Sequence, residues 1–545
     1  MRRAYPAEAI RAAEAPALAA GEPLMERAAY AVATAVVAEA RRRRLALVGA
    51  RALVLVGGGN NGGDGLFAAA RLARRGLVVT AALLRERVHP EGLAAARRAG
   101  VRLLPVSWDG AKASTGGPAA STGMPAPGLA PVLVVADEAD IWIDAIAGIG
   151  LTGGLRGVSG ALVAALNERR ERCAVEPLVV AVDVPSGVES DVGAVPGEAV
   201  RADVTVTMIG LKPALLLPPA AARAGRVELV DLGLAEALAA RPAPVRRLLG
   251  ADVADLWQVP GPADHKYTRG VVGLLAGSAA YPGAAVLASS GALRTGCGMV
   301  RYLGPEGAAR MVLARYPEVV TAAGRVQAMV LGPGIAVGAP VPESADRALA
   351  DSEVALVVDA GGLDWLPTDP TALAGRRVVL TPHAGELARL LTARGGGPVE
   401  RSTIEADPAR WAQRATEVTG ATVLLKGAVT VVAQPGGPVF SQSDGTGWLA
   451  TAGSGDVLAG ILGALLAGSD APAGELAAAA ALVHGRAGVW AARNRSGSVR
   501  GPRPAGDLRS ATGRGPLDDR GPGAPITASD IAAAVPEVVR GILAH

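Results

Sequence analysis

Apolar residues recur at helical spacing through positions 8–18 and again through 23–47, which predicts two helices at the head of the chain. The pattern then changes to short unbroken apolar runs separated by helical stretches. Residues 52–56 and 77–84 read as strands, 67–74 and 89–99 as helices, 132–136 as loop or strand, and 141–146 and 178–183 as strands. Strands without polar alternation are covered on both faces, and strands separated by helices run parallel, so the fold class is α/β with a parallel sheet. This series ends near Leu234. Residues 235–253, with Arg-Pro-Ala-Pro at 241–244, read as a linker. A second α/β series opens at 269–278, and its later strands fall at 328–331, 355–359, 377–380, 422–426 and 429–433. The expected organisation is two domains, 1–240 and 245–545. The segment 111–130 reads as a surface insertion and 495–525 as a disordered one, with a last helix from Ser529.

Composition narrows the function classes. A chain of 545 residues is too long for one core. Lys+Arg 54 against Asp+Glu 50 gives a net charge of only +4, and the basic residues are scattered, so no nucleic-acid partner is expected. Cys173 and Cys297 are the only cysteines, which fits a reducing compartment. The longest apolar runs fall short of the ~20 residues of a membrane span, and no signal peptide is read at the N-terminus, so a cytoplasmic location is expected. Lysine occurs only four times, at 112, 212, 266 and 426, and asparagine only four, at 60, 61, 167 and 494. A rare residue inside a glycine motif is therefore less apt to be filler.

Such motifs stand at several strand ends. Thr451-Ala452-Gly453-Ser454-Gly455-Asp456 leads into an apolar helical segment, 457–467. Glycines there let amide N–H groups converge and the helix terminus adds partial positive charge, the layout of a phosphoryl-transfer site; a helix turn capped by Asp accounts for the same letters. Gly57, Gly59 and Gly62 satisfy a dinucleotide G-x-G-x-x-G pattern, with Glu86 where a ribose-binding acid is wanted. Asn60, Asn61 and Asp64 on that loop depart from a plain dinucleotide loop and suit a cation or an oriented ligand. Asp144 and Asp183 each end an expected strand, where open α/β sheets put their sites. In the second half, Gly332-Pro333-Gly334, Asp359-Ala360-Gly361-Gly362, Thr381-Pro382-His383-Ala384-Gly385-Glu386 and Lys426-Gly427 follow successive strands, Lys426 being suited to a nucleotide phosphate.

Together these motifs resemble the bifunctional NAD(P)H-hydrate repair enzymes, in which an NAD(P)HX epimerase domain of Rossmann-like three-layer form is fused to an ADP/ATP-dependent NAD(P)HX dehydratase of ribokinase-like form. The resemblance runs from Leu24-Met25-Glu26-Arg27-Ala28 through Asn60–Asp64, Asp183-Val184-Pro185-Ser186-Gly187, His265-Lys266-Tyr267 and Thr381–Glu386 to the Gly453–Asp456 loop. It implies repair of the hydrated cofactors NADHX and NADPHX. It implies a potassium site at Asn61, Asp144 and Ser186, and epimerase substrate contacts at Asn60, Asn61, Gly62, Gly63, Asp64, Gly148, Ile149, Gly150, Leu151, Thr152, Gly153, Gly154 and Asp183. On the dehydratase side it implies substrate contacts at Ala284, Gly334, His383 and Asp456, and an adenine-nucleotide site at Lys426, Gly427, Ala428, Val429, Thr430 and Gly455, with magnesium accompanying ADP or ATP. The catalytic candidates are Asp456 and Asp183, with Asp144 second in the epimerase; assembly as a homo-oligomer stays open. Ser443–Trp448 lacks the Asn-Pro-Gly type of sequence usual before the phosphate loop, and Ala384 stands where Pro is usual. The alternative is a ribokinase-like vitamin or sugar kinase fused to a non-catalytic nucleotide-binding module.

Overall fold

The computed structural model describes residues 1–106, 127–395, 397–494 and 523–544. The two insertions read at 111–130 and 495–525 lie outside the described residues apart from 127–130 and 523–525. The chain forms two compact units, one of Arg3–Pro244 and one of Met1–Arg2 with Val245–His545.

In the first unit seven parallel strands lie in the order Arg102–Pro105, Val78–Leu83, Arg51–Val56, Ile141–Ala145, Leu178–Val182, Val204–Met208, Arg226–Val230. The central strands are buried throughout their length except at Arg51, which is why their sequences carry no polar alternation. From Arg51–Val56 the chain winds outward one way, then returns to build the other side from Ile141–Ala145. The switch point, where doubly wound sheets open a crevice, falls between these two strands. The helix that follows Arg51–Val56 runs Asn60–Ala73. It begins well before the expected 67–74, so Asn60–Asp64 are helical and not a loop. Glycine makes this possible: a Cβ on Gly62 would stand 2.1 Å from the Gly57 carbonyl oxygen, and one on Gly65 2.4 Å from the Ala145 Cβ. Residues 132–136, read as loop or strand, lie in the helix Ala130–Glu138.

The second unit's sheet runs Val245–Arg247, Val439–Gln442, Thr430–Ala433, Thr422–Leu425, Val378–Leu380, Ala355–Val358, Ala328–Leu331, Val271–Leu275, Met299–Tyr302. It is parallel from Thr422–Leu425 to Met299–Tyr302, and Thr430–Ala433 pairs antiparallel with both its neighbours. Here the winding reverses between Val271–Leu275 and Ala328–Leu331. The stretch read as a linker is built structure: a helix Ala235–Ala239, the strand Val245–Arg247 and a helix Gly250–Leu256. The helix Ser454–Gly468 starts three residues before the expected segment, and from Val457 to Ala467 it is apolar and buried on every side. A Cβ on Gly460 would meet the Ala288 carbonyl oxygen at 2.1 Å and one on Gly291 the Val457 oxygen at 2.3 Å, so this helix and Gly283–Thr295 pack backbone to backbone.

Candidate functional site

Each unit gathers polar groups at the carboxyl ends of its strands. In the second unit Gly453 adopts φ +85°, a left-handed turn that glycine takes without strain, and reverses the chain into the helix Ser454–Gly468 with Asp456 in its first turn. Asp456 is half-buried, and its carboxyl is pushed up to about 7, by burial first, then by the Asp359 carboxylate, with Lys426 opposing and Glu386 adding to the rise. Lys426 follows the strand Thr422–Leu425; its Nζ donates to Asp359 Oδ1 at 2.7 Å and lies 3.7 Å from Glu386 Oε2. Burial works against the lysine's charge, but these carboxylates outweigh it and hold its pKa above the ordinary value. Thr381 Oγ1 donates to the same Asp359 oxygen at 2.9 Å. His383 caps the helix Ala384–Ala393: its Nδ1 accepts from the N–H groups of Gly385 and Glu386, and Glu386 Oε2 accepts from the His383 N–H at 2.8 Å. The His383 ring is therefore tied to Glu386, which reaches Lys426.

Lys426, Gly455, Asp456 and His383 thus belong to one cluster, a Cβ on Gly455 falling 3.4 Å from Lys426 Nζ. Gly427 and Ala428 are exposed in the turn after Lys426, with Val429 and Thr430 half-buried beyond them. Ala284 and Gly334 meet each other: a Cβ on Gly334, at φ +68°, would lie 2.5 Å from the Ala284 Cβ. Leu287, one turn on from Ala284, stands 2.3 Å from where a Gly453 Cβ would be, which links this pair to the glycine turn.

In the first unit Asp183 ends the strand Leu178–Val182 at φ +70°, an uncommon conformation for a residue with a side chain. Its carboxylate receives the ammonium of Lys212, a side chain 1% exposed that also donates to Thr207 Oγ1 and to the Met208 carbonyl, both at 2.9 Å. Asp64, near the start of the helix Asn60–Ala73, is held well above the usual carboxylate range by burial, then by Asp183 and Glu14, against Lys212. Burial first, and Asp183 with it, also raises Glu14 on the helix Ala7–Ala19, against Lys212 and Arg11. Asp64 Oδ1 and Asn61 Nδ2 are shut off from solvent and have no hydrogen-bond partner among the described residues, an exception to the rule that buried polar atoms are paired.

Asp144 is fully buried on the strand Ile141–Ala145. Ser186 Oγ donates to its Oδ1 at 2.6 Å and the Ser186 N–H to its Oδ2 at 2.7 Å; burial still lifts the carboxyl to about 6 against these bonds. Ser186 Oγ also accepts from the Ala147 N–H at 2.9 Å, and the Asn61 carboxamide oxygen lies 3.3 Å from a Cβ built on Gly148. Asn61, Asp144 and Ser186 therefore stand around one short stretch, 147–148. One carboxylate with amide and hydroxyl oxygens suits a monovalent cation better than a divalent one. Among the described residues no group of three His, Cys, Asp or Glu stands ready for a metal ion.

The remaining expected contacts line the loop beyond Gly148. Ile149 accepts from Arg11 through its carbonyl at 3.4 Å, the Gly153 N–H donates to Glu189 Oε1 at 2.8 Å, and Gly154 lies against Pro196, whereas Gly150, Thr152 and Asn60 are exposed and Leu151 is half-buried. Glu86 is exposed in the loop after Val78–Leu83. Sequence reasoning missed Lys212 and Glu14 as site residues, and it placed Asp359 and Glu386 in strand-end motifs without giving them a role. The scarcity of lysine was the one signal that marked Lys212.

Two α/β units, each with an acid–lysine pair at the carboxyl ends of its strands and one with a helix entered through a left-handed glycine, have the makings of a two-domain α/β enzyme. Residues 272–503 match the family described as NAD(P)H-hydrate dehydratase, and residues 21–214 the family described as YjeF-related protein N-terminus. The bifunctional NAD(P)H-hydrate repair enzyme of Mycobacterium tuberculosis is 43% identical over 491 residues, 88% of this chain and 92% of its own, and that of Mycobacterium leprae is 42% identical over 505 residues, 90% and 94%. An ADP/ATP-dependent NAD(P)H-hydrate dehydratase from Bacillus subtilis, solved with ATP/Mg2+, is 25% identical and covers 54% of this chain and 97% of its own at a TM-score of 0.40. The chain belongs to the family of bifunctional NAD(P)H-hydrate repair enzymes. It is an α/β enzyme of two activities, an NAD(P)H-hydrate epimerase of the YjeF type and an NAD(P)H-hydrate dehydratase.

Proposed function

We propose that the Asp456 centre, in a domain spanning 245–545, dehydrates the S form of NADHX and NADPHX with ADP or ATP, and that the Asp183 centre, in a domain spanning 1–240, interconverts the R and S forms. The observation that carries the first assignment is a carboxyl lifted to about 7 at a glycine-turn helix terminus, beside Lys426. A base is most effective with a pKa near the working pH. Asp456 takes the proton of the hydrate's hydroxyl as its oxygen bonds to the terminal phosphorus of the nucleotide, and the bridging P–O bond breaks toward the nucleotide. The ring nitrogen's lone pair then breaks the ring C–O bond of the new phosphate ester, releasing inorganic phosphate and leaving an iminium, and loss of a proton from the ring carbon next to the iminium carbon restores the reduced nicotinamide. Lys426 with the first-turn amides steadies the charge in transit.

Ala284, Gly334 and His383 contact the hydrate in this reading, and Gly427, Ala428, Val429, Thr430 and Gly455 the adenine nucleotide with its magnesium. In the epimerase, Asp183 paired with Lys212 assists proton movement, with Asn60–Asp64 and Gly148–Gly154 around the substrate. Asn61, Asp144 and Ser186 would hold potassium, whose charge would order the crevice. A cytoplasmic location is consistent with the finding that, among the described residues, no helix is long and apolar enough to cross a membrane. The deciding experiment incubates hydrated NADH with ADP or ATP. Release of inorganic phosphate with recovery of NADH, and no stable phosphorylated product, is expected; a phosphorylated product that accumulates would refute the scheme.

A further inference from the structure

His484 is a buried histidine on the helix Ala473–Asn494 that the scheme above does not use. Its Nε2 lies 3.1 Å from the Ser454 hydroxyl oxygen and 3.0 Å from the Ser454 carbonyl oxygen. A carbonyl oxygen only accepts, so Nε2 must carry a hydrogen. The Ser454 Oγ then faces the same N–H as an acceptor, and its own hydrogen has to point away from the ring. Burial, with Lys426 nearby, depresses the imidazole's pKa to about 4 despite the bond to Ser454, so the ring stays neutral with this hydrogen in place. Ser454 is itself buried, and the contact with His484 Nε2 is the one hydrogen bond of its hydroxyl among the described residues. A buried hydroxyl left with a spare donor is costly unless a ligand uses it.

The placement says which ligand. Ser454 is the first helical residue after the left-handed Gly453, adjacent to Gly455, over which Lys426 Nζ lies, and two residues before Asp456. We propose that the Ser454 hydroxyl donates to an oxygen of the phosphoryl group in transit, and that His484 is the positioning residue that turns it there. The inference rests on the phosphoryl-transfer reading of this centre. The bland alternative is that His484 merely pins one helix to another.

A double-mutant cycle in the full-length chain separates the two. Ser454→Ala should lower kcat for nucleotide-driven dehydration by ~10²-fold, the usual loss for one transition-state donor, with KM for hydrated NADH changed by no more than about threefold. His484→Leu should match it, and His484→Gln, which keeps an N–H donor, should recover most of the rate. Because the histidine acts through the serine, Ser454→Ala/His484→Leu together should lose no more than the worse single change. A Ser454→Ala enzyme within about threefold of the parent kcat would overturn the proposal, and so would multiplicative losses in the double variant. Should His484→Leu fail to fold, Ser454→Ala and His484→Gln still decide. The pH profile keeps the two readings apart: Ser454→Ala leaves the rise through neutrality that Asp456 imposes, whereas loss of the base assignment would show as an Asp456→Asn enzyme that still turns over.

Discussion

Asp456 must be ionised to act as a base, and its carboxyl is lifted to about 7 by burial and by Asp359. Below that pH the proton occupies the oxygen that should receive the substrate's, so nucleotide-driven dehydration is expected to rise as pH climbs through about 7 and to level off above it. Asp456→Asn keeps the size and the capping ability; it should cost ~10²-fold or more in kcat and abolish that limb of the profile. A folded variant with a near-normal rate would reject the role. At Asp144, Asp144→Asn keeps the shape of a group bonded twice to Ser186, so it is a gentler test than Asp144→Ala. Either change should weaken the potassium response and epimerisation together and leave dehydration of the S form intact. Epimerisation indifferent to potassium, sodium and both substitutions would mean that these residues only brace the loop. Asp456, Lys426 and Asp183 were legible because each ends a recognisable motif. Their partners were not: Lys212 meets Asp183 across 29 residues and Lys426 meets Asp359 across 67, distances that only the strand order closes.

At the scale of elements, glycine explains both what the sequence concealed and what can be tested. A run of Asn, Gly and Asp reads locally as a loop, since each favours turns. Tertiary closeness overrides this in Asn60–Ala73, where the helix presses so near the strand Ile141–Ala145 that only hydrogen fits at position 65. Gly65→Ala is therefore expected to lower the stability of the first unit by about 1–3 kcal/mol, the usual cost of overpacking, in a urea titration. The dehydratase rate should be unchanged. A neutral or stabilising result would mean that the helix can slide off the strand. Residues 132–136 were ambiguous for a different reason: a short apolar run after a proline has no period to distinguish helix from strand. The expected linker hid the strand Val245–Arg247, which pairs with Val439–Gln442, and a partner so far along the chain leaves no local trace.

For the whole molecule, alternating strands and helices declared two α/β series, and the structure divides the chain between Pro244 and Val245, with Met1–Arg2 grouped with the later residues. What stayed hidden was where each sheet reverses its winding, because sheet order is a property of the assembled strands. Each unit carries its own switch point and its own acid–lysine set, so the two activities should be separable by single substitutions in the intact chain. Given a mixture of R and S hydrate with ADP or ATP, an Asp183→Asn chain should restore the S fraction to NADH and then stop, apart from slow spontaneous epimerisation. An Asp456→Asn chain should restore almost none, yet bring a pure R sample to the equilibrium mixture, as followed by chromatography of the two epimers. Mixing the two variants should return full conversion, the outcome expected of a hydrate that leaves one centre before it enters the other. If the Asp183→Asn chain consumed both epimers at equal rates, the first unit would not be the epimerase; if the mixture of variants failed to complete the reaction, the substrate would have to pass between centres without release.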